Sequence, residues 1–262
     1  MKRTSGARLC ATAAIGALSL SLLTACSDEG SKDSTDAKTS ASASASTSSS
    51  APAAKAFTAA ELEKLLLAQG EVKGYKVDSG DDTLPKAKTQ VKTDKPACDP
   101  LAWATAGLAP GDTDANASNS VSEDKASTAT AQPEDLADAF DIDITFVGLS
   151  SYEGDGAAKA MKAVSDGITA CAAGYALSAD SESTKVTKVA AEKASGTGDE
   201  SLAFTEDVDM DGAGTATFHS DVVRKGNTVA TFYTVNFSAM SEGGDMGDVP
   251  AAVITAQVAK LK

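Results

Sequence analysis

The chain of 262 residues carries 37 acidic and 23 basic side chains, and its formal net charge is −14. Nucleic acid and anionic lipid headgroups repel such an acidic body, so the charge excludes a nucleic-acid-binding function. The sequence contains no polybasic stretch that could assist a membrane contact.

The N-terminus has the layout of an export signal. Basic residues precede an uncharged apolar run over 9–23, which is too short to span a bilayer comfortably. The run ends in Leu23-Thr24-Ala25-Cys26, which resembles the lipobox of bacterial lipoproteins. The resemblance implies that residues 1–25 are a signal peptide, that acylated Cys26 binds the lipid bilayer, and that the protein lies on the outer face of the cytoplasmic membrane. An ordinary secreted protein with a coincidental cysteine is the alternative.

Residues 26–56 are rich in Ser and Ala and nearly free of large apolar residues. Such a segment cannot bury enough surface to offset the entropy of ordering, so we expect a disordered tether that begins at the lipidated cysteine. Residues 57–262 are then a single globular domain, long enough to bury a core.

The first part of this domain predicts two helices. Thr58 and Glu61 have the spacing of a capping box and begin a helix that ends at Gly70. A short extended segment follows, and a second helix is predicted over 98–107, with Pro100 in its first turn.

The polar stretch from Ser118 to Gln132 is compatible with an edge strand or a loop. A clearer strand follows, in which polar residues alternate with Phe140, Ile142, Ile144 and Phe146. The alternation predicts a half-buried strand and places Asp141 and Asp143 on one side of it. These carboxylates are either part of a solvated face or a paired-carboxylate site.

A longer helix is predicted after this strand, because Met161, Val164, Ile168 and Cys171 recur at helical spacing. In an oxidising compartment we expect Cys171 to form a disulfide with Cys98, the other cysteine of the domain. Two free thiols are the alternative.

The C-terminal part predicts three strands, over 201–207, 214–224 and 228–238. Gly226 and Asn227 both tolerate positive φ and predict a tight hairpin turn at 224–227. A final helix is predicted with Asp248 as its N-cap and Pro250 in its first turn. The whole pattern predicts an α+β fold: a mainly antiparallel twisted sheet with flanking helices, in a single domain braced by one disulfide.

The sequence "DVDMDG" places Asp207, Asp209 and Asp211 at the spacing of a calcium loop. The twelfth position, which needs a bidentate carboxylate, is Phe218, and the residues that follow alternate like a strand. A turn between two strands is therefore favoured, and a divalent ion held by the three aspartates is the alternative.

Motifs of zinc sites, phosphate-binding loops, dinucleotide-binding folds and serine hydrolases are absent from the sequence. We therefore expect neither a cofactor nor an enzyme. The single histidine, His219, is expected to be a structural or surface residue. Trp103 is expected to pack against the disulfide, with a ligand platform as the alternative.

Four stretches together carry a resemblance: "LLLAQGEVKGYKV" at 65–77, "PACDPLA" at 96–102, "TGDESLAF" at 197–204 and "DVVRKGNTVATF" at 221–232. They resemble actinobacterial lipoproteins related to the extracellular sensor domain of PknH-like receptor kinases. The resemblance implies a mixed α and β domain with a ligand cleft and intrachain disulfides, of which Cys98 and Cys171 would match one. It also implies a non-enzymatic sensing or binding role.

Three functions remain open at this point. The first is a lipid-anchored, sensor-like domain that binds a small molecule or cell-wall fragment in a groove lined by Trp103 or tyrosines. The second is an envelope hydrolase that pairs Asp141 or Asp143 with Glu153 across a cleft. The third is a passive envelope scaffold, which would present a convex, evenly acidic surface.

Overall fold

The computed structural model of this chain describes residues 55–79, 84–124, 141–179 and 182–261. The predicted signal peptide, the acylation site Cys26 and nearly all of the tether lie outside these residues, as do Phe140 and the segment 125–132. Within the described part of the chain, no helix is both long enough and apolar enough to cross a bilayer.

The domain is built on one sheet of ten strands. The strands are β1 (Tyr75–Asp78), β2 (Val91–Thr93), β3 (Asn116–Glu123), β4 (Asp143–Ser151), β5 (Tyr175–Ala179), β6 (Glu182–Glu192), β7 (Glu200–Asp209), β8 (Thr215–Lys225), β9 (Thr228–Asn236) and β10 (Gly244–Asp245). Their order across the sheet is β1-β3-β4-β9-β8-β7-β6-β5-β2, and all neighbours in this order are antiparallel. Strand β10 pairs in parallel with the start of β8. The predicted α+β fold with a mainly antiparallel sheet is confirmed.

Helices cover both faces of the sheet. They are α1 (Ala59–Glu63), α2 (Asp99–Ala104), α3 (Gly156–Ala170), α4 (Phe237–Glu242) and α5 (Ala251–Ala259). Adjacent residues on a strand point to opposite faces, and on β8 Val222 packs in the core with α2 and α3 whereas Val223 packs in the core with α1 and α5. The central strand β9 is accordingly buried along almost its whole length.

The predicted disulfide is confirmed. Cys98 and Cys171 are bonded across a Cα–Cα distance of 5.9 Å, and both are fully buried. Cys171 lies directly after the last residue of α3, and Cys98 directly before the first residue of α2. The bond therefore ties together the two helices that cover one face of the sheet.

Both predicted turns join neighbouring strands. The aspartate-rich segment connects β7 to β8, and within it Asp211 has a φ of +45°, the left-handed region. The turn at 224–227 connects β8 to β9 with Gly226 at φ +59°. Asn227, expected to share that geometry, instead has negative φ and donates its side-chain amide to the carbonyl oxygen of Tyr152.

The structure corrects three local predictions, two of which concern strands. Strand β3 is not an edge strand, because β1 and β4 pair on its two sides. In β4 Thr145 is buried, with its hydroxyl 3.0 Å from that of Thr234, whereas Ile144 and Phe146 are half-buried, and every residue from Val147 to Ser151 is buried. A central strand covered on both faces does not follow the alternation of a one-sided sheet.

The third correction concerns the last helix. Its N-cap is Pro250, and no side chain caps it. Asp248, the predicted cap, instead has a carboxylate oxygen 3.5 Å from Nδ1 of His219.

Candidate ligand-binding groove

A groove of about 860 Å³ opens beside the chain that follows α1. Its lining comes from five separate stretches: residues 63, 64, 66–69 and 71 at and beyond the end of α1, Val77 and Ser79 at the end of β1, Leu84–Lys86, Asn116–Asn119 of β3, and Lys260 after α5. Its volume lies within the range of small-molecule sites, about 300–1,000 Å³. The groove is thus assembled by tertiary contacts between segments that are distant in sequence.

The first helix is much shorter than its sequence predicts, and this shapes one wall of the groove. The capping box is confirmed, with Thr58 N donating to Glu61 at 2.8 Å, but α1 ends at residue 63. Beyond it, Gly70 has a φ of +89°, as expected for a residue that turns the chain away from a helix.

Two side chains at the end of α5 hold this wall in place. Gln257 is fully buried; it accepts a hydrogen bond from the backbone amide of Leu67 at 3.0 Å and donates one to the carbonyl oxygen of Leu65 at 2.8 Å. Lys260 donates to the carbonyl oxygen of Leu66 at 2.6 Å and to Glu71 at 2.5 Å. These bonds satisfy backbone groups that a continued helix would have satisfied internally.

Asn119 is the most informative residue of the groove. Its side chain is 1% exposed, and its amide nitrogen donates to the carbonyl oxygen of Leu67 at 2.8 Å. Its oxygen Oδ1 is buried and accepts no hydrogen bond from any described residue. A buried acceptor left unpaired costs about 1–3 kcal/mol, so a hydrogen-bond donor that reached this oxygen would be favoured.

The other lining residues give the groove a mixed character. Leu66, Leu67 and Leu84 are buried apolar residues of the lining, while Lys64 and Glu63 are exposed charges beside them. Such a surface suits an amphipathic molecule that places an N–H or O–H group on Asn119 and apolar atoms on the leucines.

The residues that the sequence proposed for this role lie elsewhere. Trp103 does not line the groove; it packs against the core cluster that contains the disulfide, as expected, with Lys88 Nζ 4.7 Å from its ring centroid. The groove lining contains no tyrosine among the described residues.

The hydrolase hypothesis, which pairs Glu153 with Asp141 or Asp143, does not fit the geometry. Asn236 donates to Asp141 at 2.8 Å and to Asp143 at 2.7 Å, so one amide holds these two carboxylates together. Glu153, however, follows the opposite end of β4, a strand of nine residues that is about 30 Å long when extended. Glu153 therefore cannot face Asp141 or Asp143 at the 5–9.5 Å or so that separates the carboxyls of glycosidases.

Two of the three aspartates, Asp207 and Asp209, use their carboxylates in local contacts. Asp207 accepts a hydrogen bond from Thr217 at 2.9 Å and lies 3.7 Å from Lys188. Asp209 accepts one from the backbone amide of Asp211 at 3.2 Å. These bonds are those of a tight turn, and within the described residues the three aspartates do not form a group with converging metal-ligand atoms.

The sequence did not predict the surroundings of His219. This side chain is 12% exposed, and carboxylates of Glu192, Asp245 and Asp248 all approach its ring. Burial alone would lower the pKa of His219, but the hydrogen bond to Glu192 and the negative charges of the three carboxylates outweigh it, so the pKa is raised. On the same strand, burial first and then the charges of Glu192 and Asp248 raise the pKa of Asp221.

Comparison with known proteins adds a structural likeness. No protein-family model matches the chain, and no curated protein sequence matches it. Among solved structures the chain is similar to the extracellular domain of PknH from Mycobacterium tuberculosis, with 12% sequence identity and a TM-score of 0.45, covering 79% of this chain and 97% of that chain.

Proposed function

We propose that this protein is a lipid-anchored, extracytoplasmic binding domain of the sensor-like kind, which holds a small amphipathic molecule in the groove beside α1 and performs no chemistry on it. The observation that carries this proposal is the unpaired, buried oxygen of Asn119 in an otherwise leucine-lined groove of about 860 Å³. A passive scaffold does not need such a groove, so the groove favours a binding function over that alternative. A hydrolase that pairs Glu153 with Asp141 or Asp143 is disfavoured by the length of β4.

The proposed location is supported by three features. The lipobox-like sequence ending at Cys26 implies an acyl anchor, and two acyl chains bind a bilayer stably where one binds only marginally. The disulfide between Cys98 and Cys171 suits an oxidising compartment. The net charge of −14 gives the body no attraction to anionic headgroups, so the acyl chains carry the membrane affinity.

Native mass spectrometry of the protein purified from its host membrane tests both halves of the proposal. We expect a diacylglyceryl mass that disappears in Cys26→Ser, together with release of that variant from the membrane fraction. We also expect a retained small molecule of a few hundred daltons that denaturation releases.

Two matched variants locate the retained molecule. Asn119→Leu removes the unpaired oxygen with little change in volume, and we expect it to abolish retention. Asn236→Leu removes an asparagine that is hydrogen-bonded outside the groove, and we expect it to keep the molecule even if stability falls. An empty wild-type protein, or equal retention by both variants, would contradict binding in the groove.

A further inference from the structure

A second site is built around His219, at a fork in the sheet. Strand β9 pairs with β8 only over Ser220–Lys225, whereas β10 pairs with Ala216 and Thr217. His219 lies between these two pairings, where the neighbour of β8 changes from β10 to β9. The fork brings β10 and the chain that follows it alongside the imidazole ring.

Glu192 reaches the same ring from the other side. In the sheet register Glu192 pairs with Ala203 on β7, and Ala203 pairs with Asp221 on β8, so all three side chains point to one face. His219, two residues before Asp221, points to that face as well. The small side chain of Ala203 leaves room for Glu192 to cross the intervening strand and meet the ring.

Three potential metal-ligand atoms, one each from His219, Glu192 and Asp248, lie within 4.8 Å of one another. Nδ1 of His219 is 3.1 Å from Glu192 Oε2 and 3.5 Å from Asp248 Oδ1. Ligand atoms about 2.0–2.2 Å from a tetrahedral zinc ion are about 3.3–3.6 Å apart. The separation from Asp248 lies in this range, and the separation from Glu192, which is also a hydrogen-bond distance, is slightly below it.

A second, independent observation concerns the other ring nitrogen of His219, Nε2. Nε2 is buried and makes no aligned hydrogen bond within the described residues, yet Asp245 Oδ1 lies 3.2 Å from it. The same Asp245 oxygen accepts a hydrogen bond from the backbone amide of Gly247 at 2.8 Å, which fixes its position. In metal sites the ring N–H that does not face the metal usually donates to a carboxylate, which fixes the tautomer, and Asp245 is close enough to Nε2 to take that role.

The local charge also favours a cation. Glu192, Asp245 and Asp248 approach one imidazole, and in the described part of the chain His219 is the only basic side chain within 4.0 Å of these carboxylates. A divalent ion would offset this excess, and the exposed side chains of Asp245 and Asp248 leave a path from solvent to Nδ1.

We propose that Nδ1 of His219, Glu192 and Asp248 bind one transition-type divalent cation such as Zn²⁺, with Asp245 as a positioning residue at Nε2. Binding displaces any proton on Nδ1 to solvent, so the ring takes the tautomer with N–H on Nε2. A nitrogen ligand with two carboxylates favours Zn²⁺ over Mn²⁺, and either over Ca²⁺. The site is separate from the groove, and it stands or falls independently of the proposed function.

The single histidine makes the test unambiguous. We would titrate the untagged full chain in detergent with Zn²⁺, using calorimetry for stoichiometry and NMR of the imidazole, which has only one source in this sequence. We expect one ion per chain, at least 100-fold tighter binding of Zn²⁺ than of Ca²⁺, and nitrogen shifts that identify Nδ1 as the ligand. No Zn²⁺ binding below millimolar concentration, or an imidazole spectrum that Zn²⁺ leaves unchanged, would overturn the site.

Variants separate the ligands from other carboxylates. His219→Gln and Glu192→Gln should each weaken Zn²⁺ binding at least 10-fold, and Asp245→Asn should weaken it about 10-fold through loss of positioning. The matched control replaces Asp207, Asp209 and Asp211 of the turn by Asn and should bind Zn²⁺ as the wild type does. Loss of binding in the turn variant with retention in Glu192→Gln would place the ion in the turn and refute the site at His219.

Discussion

Replacing Glu206 by Gln tests how a buried carboxyl controls the stability of this domain. Glu206 lies on β7, is 4% exposed, and its Oε1 accepts a hydrogen bond from the hydroxyl of Tyr175 at 2.6 Å. Burial raises the pKa of Glu206 to about 7, although hydrogen bonds from Tyr175 and Thr105 act in the opposite direction. The folded protein therefore holds a neutral carboxylic acid here in mildly acidic solution.

The sign and size of the effect follow from this pKa. The ordinary value for the carboxyl is 4.5, so between pH 4.5 and about 7 the folded state binds more protons than the unfolded state. The contribution of Glu206 to stability is fully present below pH 4.5 and is lost as the pH rises through about 7. Each pKa unit corresponds to about 1.4 kcal/mol, so the loss is about 3 kcal/mol.

Glutamine has nearly the same shape as the protonated acid and keeps an oxygen that can accept from Tyr175, but it does not ionise. We expect the free energy of unfolding of E206Q, measured by urea denaturation, to rise relative to the wild type by about 3 kcal/mol between pH 4.5 and pH 8. Glu153→Gln, at an exposed glutamate, is the control and should follow the wild-type curve. Parallel pH curves for E206Q and the wild type would refute the reasoning.

Three further changes have expected outcomes. Replacing Cys98 and Cys171 by Ser opens a loop with a sequence separation of 73 residues and should lower the free energy of unfolding by about 4 kcal/mol in the chain-entropy model, measured by urea denaturation; a change below 1 kcal/mol would contradict it. Gly148→Ala would bring a Cβ within 2.7 Å of a backbone carbonyl oxygen, so calorimetry should show a lower melting temperature and a loss of about 1–3 kcal/mol, and an unchanged melting temperature would count against this packing. Gln257→Leu should destabilise the domain by about 1–3 kcal/mol, because the backbone amide of Leu67 loses its buried hydrogen-bond acceptor. The variant should also release the retained molecule from the groove. Full retention would show that this wall does not shape the site.

The sequence predicted the parts of the fold that depend on neighbouring residues. The capping box at Thr58, the turn at Gly226 and the strands on either side of that turn are patterns within a few residues, and each is confirmed. The length of α1 could not be predicted in this way. The chain after α1 is held by Gln257, which bonds to the backbone of Leu65 and Leu67 from about 190 residues away. No local pattern in the first helix contains that information.

The same reasoning explains the burial of β4. Alternation predicts which face of a strand is buried only when the other face meets solvent. Strand β4 is covered on both faces because α2 and α3 pack on one side of the sheet and α1 and α5 on the other, so Thr145 is buried and meets its partner Thr234 inside the protein. Periodicity thus identified a strand but assigned its faces wrongly.

The two candidate sites show where sequence reasoning stops. A lone histidine in a strand gives no sign of a ligand set, because Glu192 and Asp248 lie 27 and 29 residues from His219 in opposite directions along the chain. Only the sheet register, which aligns Glu192 across Ala203, and the fork that admits β10 bring these side chains together. Asp248 could serve either as a helix cap or as a neighbour of His219. Its spacing to Pro250 predicts the cap, but its carboxylate lies beside the imidazole, and no side chain caps the helix. Where a local rule is broken in this way without a local reason, the position is a good place to look for a site.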